Sequence, residues 1–158
     1  MAENHWIFFH INVKCNTNFD SMMEKGNWQF TKKVKDHPKK EDKVIFYLSN
    51  GSKPKEKKKY FAGQAVIDKF LHNTTRDSVD EKKGVWEAQF KNIGRWDRKV
   101  NFDEVKLELG FIKESMARCP ANPKRGIGLA FQGRQVIKID LVDYNLLIGK
   151  SNEEIISR

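Results

Sequence analysis

Between residues 5 and 13 the chain runs HWIFFHINV, and its polar and apolar positions sort with a period of two. Trp6, Phe8, His10 and Asn12 fall on one side of an extended segment, Ile7, Phe9, Ile11 and Val13 on the other. The second set is a core face. The first changes from aromatic to polar, as a strand does where it leaves the core and enters a cleft. The same period returns in Val44, Phe46 and Leu48 against Ile45, Tyr47 and Ser49, and stops at the turn signal Asn50-Gly51. Residues 60–67 resume it, so 43–67 is predicted as a hairpin. Ala62, Gly63 and Ala65 leave its second strand with little bulk, which marks close approach by another backbone or a ligand. Alternation over 85–93 predicts a further strand bearing Trp86, Ala88 and Phe90, and Val136-Ile137-Lys138-Ile139 predicts the last one.

Helical signals are shorter. Residues 16–25 suit one helix, with Phe19, Met22 and Met23 on a face and Gly26 as its left-handed terminator. The aromatic segment 27–31 follows and carries Trp28. Turn formers without a period predict a long loop over 68–83 and another over 94–99, the latter holding Arg95, Trp96 and Arg98. Asn101 or Asp103 can open a helical stretch that ends near Gly110, although Leu107, Leu109 and Phe111 suit extended structure equally. Beyond Lys113 the prolines at 120 and 123 predict a loop. Asp140 is expected to cap a closing helix, with Asp143 at its third position, Leu141, Tyr144, Leu147 and Ile148 inward, and fraying from Gly149. Five strands separated by turns, with short helices at the ends and in one connection, give an α+β domain whose sheet curves into a barrel.

At 158 residues the chain is expected to form one core, spanning 1–150, with 151–158 as a frayed tail. Its formal net charge of +9 is unevenly spread. Eleven lysines between Lys32 and Lys59 stand against Asp36, Glu41, Asp42 and Glu56, a local excess of +7 (11 − 4). Five of those lysines crowd residues 52–59, between the hairpin strands. A lysine-rich loop on an aromatic pair of strands points to a nucleic-acid surface. Trp28, beside the lysines that begin at Lys32, offers what base stacking requires, a π-face next to a phosphate-attracting charge. Cys15 and Cys119 form no CxxC pattern, and His5, His10, His37 and His72 have no ligand spacing, so neither a disulfide framework, a metal nor a cofactor is expected. The start, MAENHWIFFH, reads as neither signal peptide nor membrane span, and a cytoplasmic, monomeric protein without membrane attachment is expected.

Taken together, WIFF at 6–9, Trp28, VIFYLSN at 44–50 followed by a basic loop and FAGQAVI at 61–67, then FQGR at 131–134 before VIKI and a closing helix with Asp143-Tyr144, resemble the EVE domain of the PUA-like superfamily and the related YTH domain. The resemblance runs from about residue 5 to 148. It implies a PUA-like curved, mixed or antiparallel β-barrel of five to six strands flanked by short α-helices, with a cleft that accepts a flipped-out or single-stranded modified base of RNA or DNA. Trp28 resembles the first wall of the family's aromatic cage and Phe70 falls near the second. Asn12, with His10 before it on the same strand, resembles the residue that reads the base edge; Tyr47, Ser49 and Asn50 line the neighbouring strand; Gln132 and Arg134 resemble the polar pair of the final loop. Lys32, Lys33, Lys35, Lys39, Lys40, Lys57, Lys58 and Lys59 would hold phosphates, which positions a strand without specifying its sequence. Gln29 stands where YTH readers have a small hydroxyl residue, and the second tryptophan of their cage is absent, with Phe70 the nearest candidate, so the implied base is modified but unnamed.

The leading expectation is therefore a non-enzymatic reader. Two alternatives remain: a PUA-like amidohydrolase acting on a modified nucleoside through Lys14, Thr17 and Glu87, or an accessory protein that binds RNA through its lysines without recognising a base.

Overall fold

The structure, a computed structural model, describes residues 3–12, 22–30, 37–49, 59–73, 85–130 and 136–152, with backbone alone at 10–12, 29–30, 49, 72–73, 85–86 and 128. Six strands, β1 (His5–Asn12), β2 (Asn27–Phe30), β3 (Lys43–Ser49), β4 (Lys59–Asn73), β5 (Val85–Asn101) and β6 (Val136–Ile139), join in one curled half-barrel sheet in the order β2-β5-β4-β3-β1-β6. β1 and β3 run parallel; every other pair is antiparallel. The expected hairpin is β3 and β4, with Lys43 opposite Val66 and Ser49 opposite Lys59.

Both faces of the sheet are apolar. On one, Trp6, Phe8, Val44, Phe46, Leu48, Ala62, Ala65, Ile67, Ala88 and Phe90 form a first core, which Met22 joins. On the other, Ile7, Phe9, Ile45, Tyr47, Phe61, Val100, Ile137 and Ile139 form a second core beneath the helices. Ile7 and Phe9 are therefore the core face expected of β1, and Trp6 and Phe8 are core as well. Burial of both faces is what a central strand in a covered sheet requires.

β4 and β5 reach further than the sequence predicts. The loop expected over 68–83 is strand as far as Asn73, because Phe70, Leu71, His72 and Asn73 pair with Ala88, Glu87, Trp86 and Val85. The loop expected over 94–99 lies within β5, where Gln64 faces Gly94 and Gly63 faces Arg95. Bulges hid both extensions, since each inserted residue shifts the two-residue period. One sits at Asn92, whose φ of 52° asparagine tolerates better than most residues. Another sets Trp96 to Lys99 against Ala62 alone. The small-residue stretch has its explanation here: a Cβ on Gly63 would lie 2.7 Å from the Gly94 carbonyl oxygen.

Residues 22–25 are helical, and Gly26 ends that turn at φ 72° while its N–H donates to the Met22 carbonyl at 2.8 Å, as expected. Asn101 caps α1 (Phe102–Val105), accepting the Asp103 N–H at 2.8 Å, and a 3₁₀ turn (Lys106–Glu108) continues it, so the ambiguous stretch is helical. The loop expected after Lys113 is instead two helices, α2 (Gly110–Ala117) and α3 (Pro123–Leu129). Pro123 suits a first helical position, and Gly126 is a packing glycine: a Cβ there would meet Met116 Cα at 2.7 Å. The Ser115 hydroxyl donates to the Gly126 carbonyl at 2.6 Å across that interface.

The closing helix α4 spans Leu141–Ser151 and runs past Gly149. Tyr144 and Leu147 are buried as expected, but Leu141 is 55% exposed. Asp140 makes no side-chain cap. Asp143, 3% exposed, caps a different helix, accepting the Gly110 and Phe111 N–H groups of α2 at 2.7 and 3.1 Å. Among the described residues no helix is long and apolar enough to cross a membrane, and no three His, Cys, Asp or Glu side chains gather as a metal site.

Candidate nucleic-acid interface

The first core is rimmed by half-buried aromatic side chains, Trp28, Tyr60 and Phe70. Strand register brings two of them into one row. Trp28 on β2 lies directly opposite Ala88 on β5, and Ala88 lies directly opposite Phe70 on β4. Directly opposed residues project from the same face, so indole, methyl and phenyl follow one another across three strands. Two strand spacings separate the outer backbones by roughly 10 Å. Two ring-on-ring contacts in series need roughly 7 to 8 Å between the outer planes. The row therefore has the width for one planar ring held between two others above a small residue. Ala88 itself is wholly buried, so neighbouring groups cover it in this structure.

A third ring stands at the end of this row. His37 stacks on Phe70 with ring centroids 4.9 Å apart and planes 3° from parallel. Its segment is fixed by Asp42, a 4% exposed carboxylate that accepts the Trp6 indole N–H at 2.9 Å, the Lys39 N–H at 2.9 Å and the Asn4 N–H at 3.0 Å. Glu41 adopts φ 75° and its N–H donates to the Ile67 carbonyl at 2.8 Å, while the Ile67 N–H returns to the Asp42 carbonyl at 2.8 Å. Residues 39–42 thus form a turn just before β3, held against Ile67 of β4 on the flank away from β5. Sequence reasoning missed His37, Ala88 and Asp42. The signals were slight: a histidine inside a lysine run, an alanine between aromatics, and an acid where cations dominate.

Charge follows the same segment. Lys39, Lys40 and Lys69 are exposed, and none has an acidic partner among the described residues. Other lysines are engaged: Lys91 with Glu41, Lys43 with Glu3 at 3.2 Å, and Lys99 over the Tyr60 ring at 4.7 Å. Lys59 is half-buried at the opposite end of β4 from Phe70.

Tyr47 does not join Trp28 and Phe70. It is 6% exposed in the second core, packed on Phe61 at 5.2 Å and Phe102 at 5.6 Å, because its place in the β3 alternation turns it towards the helices. Burial, with the Asp103 charge adding, pushes its phenol well above the ordinary range. His10, Asn12 and Ser49 lie on β1 and β3, with Asn12 paired to Ser49, and their side chains are outside the described set. Asn50, Gln132, Arg134, Lys32, Lys33, Lys35, Lys57 and Lys58 lie outside the described residues, as do Lys14 and Thr17. Glu87, the remaining member of the amidohydrolase set, is 6% exposed and accepts the Gln89 amide at 2.8 Å.

No family model and no curated protein matches the sequence. Solved structures do. A hypothetical protein from Leishmania major superimposes with TM-score 0.55 at 15% identity, over 95% of this chain and 95% of its own. Human THYN1, solved in complex with DNA containing 5-methylcytosine, superimposes with TM-score 0.55 at 14% identity, over 96% of this chain and 99% of its own. At these identities the likeness speaks to architecture, and with the curled six-stranded sheet and its short helices it shows that the chain has the α+β PUA-like fold.

Proposed function

We propose that this chain is an EVE-type, non-enzymatic reader that takes a modified base of DNA or RNA, flipped out or already single-stranded, between Trp28 and Phe70. The observation that carries this reading is the row Trp28, Ala88, Phe70 across β2, β5 and β4. Extruding a base from a duplex costs a few kcal/mol of stacking and pairing, and stacking returns about 1 to 3 kcal/mol per aromatic contact. Two walls are enough to balance that cost, with hydrogen bonds to the base edge supplying selectivity. Lys39 and Lys40 flank the row and serve phosphates, joined by the lysines expected at 32–35, while those at 57–59 would meet the strand further along. A shared fold with a protein solved on 5-methylcytosine DNA supports a modified-base ligand.

The test uses short oligonucleotides, DNA and RNA, each carrying one central 5-methylcytosine, 5-hydroxymethylcytosine or N6-methyladenine, against unmodified controls. At least one modified strand should bind more tightly than its control. Trp28→Ala or Phe70→Ala should lower that preference about tenfold or more while leaving unmodified binding nearly unchanged. An unaltered preference in the Trp28→Ala, Phe70→Ala double variant refutes base reading and leaves an accessory RNA-binding role. Turnover of a modified nucleoside would favour the amidohydrolase.

A further inference from the structure

The geometry points to His37 as a positioning residue of the base slot, the third ring of a stack that runs Trp28, base, Phe70, His37. This rests on the base-reading proposal above. Ring pairs inside the two cores meet tilted or edge-on, at 51° to 79° for Phe8–Phe46, Phe8–Phe90, Phe46–Phe90, Tyr47–Phe61, Tyr47–Phe102 and Phe61–Phe102. His37 and Phe70 differ, lying face to face within 3°. Offset-stacked and edge-on pairs are both favoured, and parallel planes at a centroid distance of 4.9 Å make this pair the offset-stacked kind. A parallel pair at the rim repeats the geometry by which a base would lie on the inner face of the same wall.

His37 approaches from the correct side for this. The paired backbone groups of Glu41, Asp42 and Ile67 lay residues 39–42 along the flank of β4 away from β5, whereas Ala88 and Trp28 lie on the other flank, on β5 and β2. His37 therefore backs Phe70 from the flank away from Trp28. The imidazole is held in turn. Its Nδ1 lies 3.1 Å from the Pro38 carbonyl, and since a carbonyl oxygen only accepts, Nδ1 carries the proton there. Pro38 is buried, and Asp42 grips the chain one residue further on, at the Lys39 N–H. A phenyl ring at the rim of a core swings about two torsions unless something occupies its outer face. His37 supplies that backing, and it fastens the wall to the segment that presents Lys39 and Lys40.

The experiment compares the full chain with His37→Ala, His37→Phe and Trp28→Ala. The probes are the preferred modified oligonucleotide and its unmodified control, titrated over a salt series. His37→Ala should reduce the preference for the modified strand threefold to tenfold, the size of one aromatic pair, with the salt slope unchanged. His37→Phe, which keeps a flat ring but discards the imidazole nitrogens, should restore it. A merely structural role would weaken both probes alike and would not be rescued by phenylalanine. If Trp28→Ala abolishes the preference and His37→Ala keeps it, the backing role is refuted and base reading stands. If neither changes it, both proposals fall together.

Discussion

The two faces of this sheet are made from the same strands and finished differently. Under the helices, Ile112, Leu109 and Leu147 are wholly buried, and Tyr144 and Phe102 close the layer. Opposite, the core is just as dry at Phe46 and Ile67, yet its margin is formed by half-buried Trp28, Tyr60 and Phe70 beside exposed lysines. One face is built to be covered by its own chain. The other carries large planar groups to the border of the solvent, where the proposed base reading would use them.

The sharpest way to separate the faces is to truncate one residue on each. Leu147→Ala empties a fully buried site and should cost about 2 to 5 kcal/mol of stability in denaturant unfolding, with the preference for a modified strand intact in the fraction that remains folded. Trp28→Ala should do the reverse, costing less stability and more discrimination. Equal stability losses from both would show that the aromatic rim is ordinary core.

A smaller effect tests the cations. Removing both charges with Lys39→Ala and Lys40→Ala should weaken modified and unmodified single strands alike and flatten the slope of log affinity against log salt by about 1.4, near 0.7 for each phosphate no longer neutralised. A change in base preference instead would place these side chains in the slot.

The smallest effect lies beneath the helix-covered face. His5 is 6% exposed, its ring lies 4.4 Å from that of Tyr144, and its Nε2 has no hydrogen-bond partner among the described residues. Burial, aided by Lys43, holds its pKa below 6.5, although Glu3 and Asp42 pull the other way. The folded protein then binds fewer protons than the unfolded chain, so stability is unaffected above pH 6.5 and falls as the pH drops below it. His5→Phe should shallow the loss of thermal midpoint between about pH 7 and pH 5, and an identical slope in the variant would exclude His5 as its source.

Much of this architecture is legible from the period of two. β1 from Trp6 to Phe9 and β3 from Val44 to Leu48 carry a clear alternation, whereas β4 is interrupted by a bulge at Ala62, and α4 shows its buried stripe at Tyr144 and Leu147. The failures share a cause: residues placed for tertiary packing imitate breakers. Gly126 exists for helix–helix approach, Gly94 faces a strand too near for a Cβ on Gly63, and the bulge at Asn92 shifts the alternation midway along β5. For the site, Trp28 stands out as an aromatic beside charge, and Phe70 enters only through the family resemblance. Their alignment through Ala88 depends on registers among strands distant in sequence, and no local pattern encodes that. His37 and Asp42 were hidden for the same reason, since each acts on a partner more than thirty positions away.

Phe70 and Trp28 are rooted in the sheet with unequal support. Phe70 grows from β4, gripped by β5 on one flank and by the turn at 39–42 on the other. Trp28 grows from β2, four residues at the border of the sheet with a single neighbouring ladder among the described residues. Displacing a border strand breaks fewer backbone bonds than displacing an interior one. Under the proposed base reading the pair would act as a vice with one fixed jaw and one that slides, and guests of different thickness or bulk would be accommodated by the indole's side.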